Sequence, residues 1–233
     1  MSTFQEHQHG HTLAGLAFKI WAATYPERAA HRNNMCFIDY GSGDGSFLSQ
    51  IAGLCPGNRN VFIGIENDPH MASLARSNSH HDSRIVIFEQ SFLQSECSDG
   101  ERRRFDAYLA SNTRSNTYFV HYLNNYNFRM AFFRGDGMSL EAKLVVQLEE
   151  DAGRRLLTRP SALQNYSLPE VIVSLFPLPN VFDWSMERMG PFLFDKNDMV
   201  YSWAPNVRSA TFTKYVLADP REYVPGHKVP RQS

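Results

Sequence analysis

The sequence predicts an α/β fold: a three-layer sandwich in which a mostly parallel seven-stranded sheet with an antiparallel edge strand carries helices on both faces. Three observations predict it. Short apolar runs alternate with stretches of helical period, as where each strand is followed by a crossover helix. A glycine-rich turn, Gly41-Ser42-Gly43-Asp44-Gly45, stands between the first such run and the first helical stretch after it. The last two strand-like segments have no helical stretch between them, which suits antiparallel pairing at one edge.

The elements follow in order. Leu13 to Tyr25 is apolar and alanine-rich, suited to a helix that Pro26 stops. Met35 to Tyr40 (MCFIDY) reads as a buried strand, and SFLSQIAGL after the glycines as a helix ended by Pro56-Gly57. Asn60 to Ile65 (NVFIGI) is a second strand. Asp68-Pro69 then reads as a helix start, with Asp68 as N-cap and Pro69 at the first helical position, running to about Arg76. Arg84 to Phe88 is a third strand and Phe105 to Ala110 (FDAYLA) a fourth. Tyr118 to Phe133 is expected to be a helix and Lys143 to Leu148 (KLVVQL) a fifth strand. A helical stretch is expected within Ser161 to Phe176, broken at Pro169. The closing pair of strands falls near Asn180 to Met189 and Ser209 to Leu217, and the proline-bearing tail from Asp219 is extended.

The chain of 233 residues is 42% hydrophobic, which excludes a mostly disordered protein. It suits a single domain over 1–233, with a helical arm or lid at 1–34 and a substrate-side helical insertion at 152–180. A formal net charge of −1 disfavours a nucleic-acid partner. Cys36, Cys55 and Cys97 form no Cys-x-x-Cys pair, so neither a disulfide framework nor a metal site is expected. His7, His9 and His11 read as part of a flexible arm rather than a metal site. Arg102-Arg103-Arg104 reads as a solvated loop at the edge away from the glycines. No apolar run is long enough to span a membrane, and the N-terminus lacks the basic-then-apolar order of a signal peptide. A soluble, cytoplasmic protein is expected, either a monomer or a homodimer.

The glycine turn carries the chemistry. Alternating glycines let the backbone approach a ligand, and the helix beyond presents free N–H groups. No lysine follows, so a P-loop is excluded. The third glycine is Gly45, one residue early for the dinucleotide fingerprint, and Ser46 stands where that needs a glycine or alanine. The pattern is instead two apolar residues, Asp39, then Gly41-x-Gly43-x-Gly45, with Glu66 ending the next strand.

On these residues the chain resembles the class I, Rossmann-like S-adenosylmethionine-dependent methyltransferases. The resemblance implies S-adenosyl-L-methionine as cofactor. Asp39, Gly41, Ser42, Gly43 and Gly45 would lie at its methionine end, and Glu66, followed by Asn67, at the ribose hydroxyls. A carboxylate suits two neighbouring hydroxyls because it accepts from both. After the third strand the family often has an aspartate near adenine; here Gln90, Ser91 and Phe92 stand near that place. After the expected fourth strand, Ser111 and Asn112 would line the pocket. The DNA- and glutamine-modifying type has Asn/Asp-Pro-Pro-Tyr/Phe there, and Ser111-Asn112-Thr113-Arg114 disfavours it. Element order and the aromatic-rich back half are similar to small-molecule amine methyltransferases of the histamine N-methyltransferase type.

The expected activity is methyl transfer to an N or O atom of a small-molecule acceptor, aromatic or amine in type. The alternatives are a peptide, protein or RNA acceptor, or a non-catalytic binding module that keeps the fold. Phe18, Tyr25, Tyr122 and Trp184 are candidates to stack on a ring or hold a cationic amine. Glu149, after the expected fifth strand, is a candidate amine ligand or base, and His121 a second candidate base. For each of these the plainer reading is a core ring, a solvated acidic turn or a packed histidine.

Overall fold

The structure, a computed structural model, describes Trp21 and residues 33–114, 116–123, 140–157, 170–174, 185–193 and 209–216. Its seven strands are β1 (Met35–Tyr40), β2 (Val61–Glu66), β3 (Ile85–Glu89), β4 (Tyr118–Leu123), β5 (Glu170–Ser174), β6 (Ser185–Leu193) and β7 (Ser209–Val216). The helices are α1 (Ser46–Leu54), α2 (Pro69–Ser79), α3 (Asp99–Asn112) and α4 (Leu140–Leu157), and Trp21 is also helical.

One sheet takes all seven strands in the order β3-β2-β1-β4-β5-β7-β6. The first five are parallel. β7 is antiparallel to both β5 and β6, so the antiparallel strand stands one place in from the edge and β6 is the edge itself. β6 carries Pro191 at its register irregularity, between Met189 and Phe192; an edge strand tolerates a residue that cannot donate to the ladder.

Both faces of the sheet are covered. Phe37, Phe62, Ile87, Val120 and Val173 point to one face, where Leu48 and Ile51 of α1 and Ala72 and Ala75 of α2 meet them. Ile38, Ile63, Phe88, Phe119 and Ile172 point to the other, against Phe105 of α3 and Leu144, Val145, Leu148 and Ala152 of α4. This double burial explains the near-continuous apolar runs of β1, β2 and β4.

The first half of the chain forms as expected. β1 and α1 have the expected bounds, and Asp68 Oδ1 caps α2 by accepting from the amides of His70 (2.8 Å) and Met71 (3.1 Å). The middle differs. Phe105 to Ala110 is not a strand but part of α3. Phe105, Tyr108 and Leu109 meet the core at i, i+3 and i+4, and Ser98 and Glu101 close a capping box before them. Tyr118 to Leu123, expected to be helical, is β4, buried along its whole length. Lys143 to Leu148 is not a strand either: Leu144, Val145, Leu148 and Ala152 form one face of α4. β5 lies at 170–174, within the stretch expected to be helical and within the segment 152–180 expected to be a helical insertion; the start of that segment, to Leu157, completes α4. The first closing strand is shifted to Ser185–Leu193, and the second is Ser209–Val216. Apart from Trp21, Asn33 and Asn34, the expected arm 1–34 lies outside the described residues, as do His7, His9 and His11 and the tail.

Candidate functional site

The site is built at the carboxyl ends of β1 and β2. The sheet order runs one way from β1 to β3 and the other way from β4, so β1 and β4 flank the point where it reverses. In an open α/β sheet a ligand binds at such a point, outside the carboxyl ends of the strands.

The chain leaves β1 at Gly41 and crosses the end of β2: the amides of Gly41 (2.8 Å) and Ser42 (3.1 Å) both donate to the carbonyl of Ile65. Gly41, Gly43 and Gly45 all have positive φ, at 77°, 56° and 74°. That repeated left-handed backbone is why the turn is built from glycines. Gly45 also lies against α2, where an added Cβ would stand 3.0 Å from the Ala75 Cβ. α1 opens on Gly45 with no side-chain cap; the Ser46 amide donates to Asp44 Oδ1 at 3.0 Å.

Two carboxylates lie beside the loop. Asp39 is buried and aligned in register with Gly64 of β2, on the face of Phe37. Burial, and then the charge of Glu66, push its carboxyl up to about 8. Glu66 is buried at the end of β2. Its Oε2 accepts the Gly43 amide and its Oε1 the Asp68 amide, each at 2.9 Å. Glu66 thus ties the glycine loop to the start of α2. A carboxylate has about four lone-pair sites, and these two bonds leave it able to accept two more.

Two buried polar atoms near these groups have no hydrogen-bond partner among the described residues: Ser42 Oγ and Gln90 Oε1. Ser42 Oγ fills the space that Gly64 leaves, 2.7 Å from where a Cβ on Gly64 would stand. Gln90 follows β3, and its amide donates to the Glu66 carbonyl at 3.0 Å. Buried polar groups without partners are uncommon in folded proteins and mark places where a ligand can satisfy them. Nothing in the sequence singled out Gln90 over Ser91; its burial does. Ser91 Oγ donates to Glu96 (2.7 Å) and accepts the Leu93 amide (3.2 Å), while Phe92 packs at the edge of the core beside Phe88 and Leu93. Asn67 is exposed directly after Glu66.

Other expected site residues stand elsewhere. Ser111 and Asn112 are exposed at the last turn of α3, which leads into the start of β4, so they lie at the opposite edge of the sheet from the glycines. The strand expected before them is α3, and the sequence that follows the actual β4 is Asn124-Asn125-Tyr126-Asn127-Phe128, outside the described residues. By the same geometry Arg102, Arg103 and Arg104 lie in the first half of α3, nearer the glycine edge than expected, with Arg102 paired to Asp99. His121 is 1% exposed within β4, on the face away from Asp39, with both ring nitrogens engaged. Tyr122 is a core ring, 4.4 Å from the Phe47 centroid. Glu149 follows no strand; it lies within α4. Phe18, Tyr25 and Trp184 lie outside the described residues. Among the described residues no group of acidic, histidine or cysteine side chains could hold a metal ion, and no helix is long and apolar enough to cross a membrane.

Fold and loop together define an open α/β domain with a left-handed glycine loop at its switch point. No family model and no curated protein matches the sequence. Solved structures similar in fold include precorrin-6y C5,15-methyltransferase from Geobacter metallireducens GS-15, at 12% identity over 88% of this chain and 88% of that one, TM-score 0.47. The 23S rRNA methyltransferase ErmE is 13% identical over 92% of this chain and 72% of its own, TM-score 0.44. The N-terminal domain of human METTL16, in complex with SAH, is 10% identical over 88% and 68%, TM-score 0.45. Likenesses at this level are of fold.

Proposed function

We propose that this chain is an S-adenosyl-L-methionine-dependent methyltransferase. The observation that carries the reading is the arrangement of Asp39 and Glu66, two buried carboxyl groups near the carboxyl ends of adjacent parallel strands, with the three-glycine loop bonded to one of them. The donors and acceptors present fit the cofactor. Glu66 retains lone pairs for two ribose hydroxyls, Asp39 suits the methionine ammonium, and Ser42 and Gln90 have buried oxygens still without partners. When bound, the cofactor supplies a methyl group already activated on a sulfonium. What the chain's own residues do is position and desolvate: the glycine amides approach closely, and the carboxylates fix orientation.

The acceptor we assign is a small molecule with an aromatic or amine group, supported by the near-neutral charge and the aromatic-rich back half. One observation favours a second reading, transfer to a side-chain nitrogen of a polypeptide. With Ser111-Asn112 moved to the far edge, the ground for setting aside the DNA- and glutamine-modifying pattern is gone. The residues after Leu123 carry its asparagine and aromatic ring, without its prolines. An asparagine carbonyl at that point would accept an acceptor N–H and turn the nitrogen lone pair towards the methyl.

Calorimetric titration with S-adenosylhomocysteine and with NAD tests the cofactor; binding of NAD alone would overturn the reading. Incubation with methyl-labelled S-adenosylmethionine, with label counted separately in small amines, protein and RNA, decides the acceptor.

A further inference from the structure

A chain of hydrogen bonds crosses the face of the sheet opposite Asp39. Tyr40 is the last residue of β1, directly before Gly41. Its hydroxyl is 2.9 Å from His121 Nδ1, and His121 Nε2 is 2.8 Å from Glu170 Oε1. Glu170 opens β5 and is paired with Arg155 near the end of α4, whose guanidinium lies 4.6 Å over the Phe119 ring. Tyr40, His121 and Glu170 are nearly without solvent exposure, while Arg155 is partly exposed. Three strands and one helix are therefore joined from the amino edge of the sheet to the residue where the glycine loop departs.

The direction of these bonds is set by charge. Burial pushes the Glu170 carboxyl up, but the Arg155 guanidinium and the His121 hydrogen bond outweigh it and hold it at about 2. An ionised Glu170 only accepts, so His121 Nε2 carries the proton. Nδ1 then pairs with the Tyr40 hydroxyl, accepting from it if the ring is neutral and donating to it if the ring is charged; either bond holds Tyr40. Among the described residues, the other titratable groups whose charges act on Tyr40 are Cys36 on β1, with a thiol pushed up to about 12 by burial, and Asp151 on α4, itself bonded by Gln94 and Arg154; Tyr108 and Tyr215 pack in the same core layer.

We propose that His121 is a positioning residue of the glycine-loop site, holding Tyr40 by its hydroxyl and so fixing where the backbone leaves β1 for Gly41 and Ser42. This rests on the reading of that loop as the cofactor site. It gives His121 a role, though not the catalytic one expected of it: it is buried on the face away from Asp39, with both ring nitrogens engaged.

Tyr40→Phe keeps the ring and removes only the hydroxyl. Hydrogen exchange of the Gly41 and Ser42 amides, both held on the Ile65 carbonyl, should accelerate in this variant relative to Phe37 and Ile38 of the same strand. Affinity for S-adenosylhomocysteine should fall about 2- to 12-fold, the range of one ordinary hydrogen bond. Equal acceleration along all of β1, or none, overturns the proposal. If wild type binds no S-adenosylhomocysteine while the loop amides still respond, positioning stands and the cofactor reading fails. The imidazole nitrogen shifts of His121 in wild type give a check that needs no variant. A proton on Nε2 is expected, and a neutral ring protonated on Nδ1 overturns the proposal.

Discussion

Glu66 Oε2 accepts the amide of Gly43 at 2.9 Å, so the end of β2 holds the loop that follows β1. The same side chain holds the start of α2 through the Asp68 amide, also at 2.9 Å. One carboxylate thus shapes the loop and, in the proposed function, also faces the ligand. Glu66→Ala should weaken S-adenosylhomocysteine binding about tenfold or more, since a charge-assisted hydrogen bond contributes roughly 1.5–3 kcal/mol. Glu66→Gln should recover part of the loop geometry, keeping one acceptor oxygen, but less of the affinity. Titration calorimetry of the three proteins reads both effects. Unchanged affinity in the alanine variant would remove Glu66 from the site.

Asp39 predicts a pH dependence. Its carboxyl, pushed up to about 8 by burial and the neighbouring Glu66, binds a proton more tightly in the folded chain than in the unfolded one, where the ordinary value is 3.8. The stability it contributes is full below about pH 4 and is lost as pH rises through 8. The unliganded protein should therefore lose thermal stability between about pH 4 and 8, and Asp39→Asn, neutral throughout, should lose less. A bound ammonium beside Asp39 reverses the preference, so ligand binding at pH 7 should release protons. Calorimetric enthalpies would then vary with the buffer's ionisation heat in wild type and not in Asp39→Asn. Identical buffer dependence in the two proteins counts against Asp39 as the partner of the ammonium.

The parts of this fold legible in the sequence were those with local signals. Gly41, Gly43 and Gly45 mark the loop because the backbone there is left-handed, and Asp68-Pro69 marks α2 because capping chemistry is local. The middle of the chain is ambiguous in sequence because burial on both faces erases period. Tyr118 to Leu123 is apolar or aromatic except for His121, and such a run is equally consistent with strand or buried helix. The decisive local signal lay upstream, in the Ser98–Glu101 capping box that starts α3. A strand at Phe105 to Ala110 shifts every expected element up to β5 and puts Ser111 and Asn112 at the carboxyl ends of the strands, whereas α3 places them at the amino ends. Asp39 and Glu66 escape this because they precede the shift. The Tyr40–His121–Glu170 chain was beyond reach, since its members are 81 and 49 residues apart in sequence.

Gly45 and Gly53 predict opposite effects of one substitution. Gly45 has φ 74°, and an added Cβ would meet the Ala75 Cβ at 3.0 Å and its Cα at 3.1 Å. Gly45→Ala should cost about 1–3 kcal/mol from the left-handed backbone, with the contact adding to it. Gly53 lies in α1 with open space where its Cβ would be. Gly53→Ala should stabilise by up to about 1 kcal/mol through helix propensity. At roughly 2–4 °C per kcal/mol for a chain of this size, a melting comparison resolves the two. Equal shifts in both variants would contradict the loop geometry.

Glu170 predicts the acid limb of stability. Burial pushes its carboxyl up, yet Arg155 and His121 hold it at about 2, below the ordinary 4.5. Because the folded value is depressed, the stability it contributes is present above about pH 4.5 and lost as pH falls through 2. Its window meets that of Asp39 only near pH 4, and the two effects have opposite signs, so they separate by pH. Glu170→Gln keeps the shape but removes the carboxylate bonded to Arg155, leaving the more distant Asp151 charge, and gives His121 Nε2 a weaker acceptor. Removing one partner of a buried pair costs roughly 3–5 kcal/mol, and the partial exposure of Arg155 puts this case toward the lower end. Denaturant melts of both proteins between pH 7 and pH 2 read the loss: a large gap at pH 7 should narrow towards pH 2. A gap independent of pH would mean that Glu170 acts by shape rather than by charge.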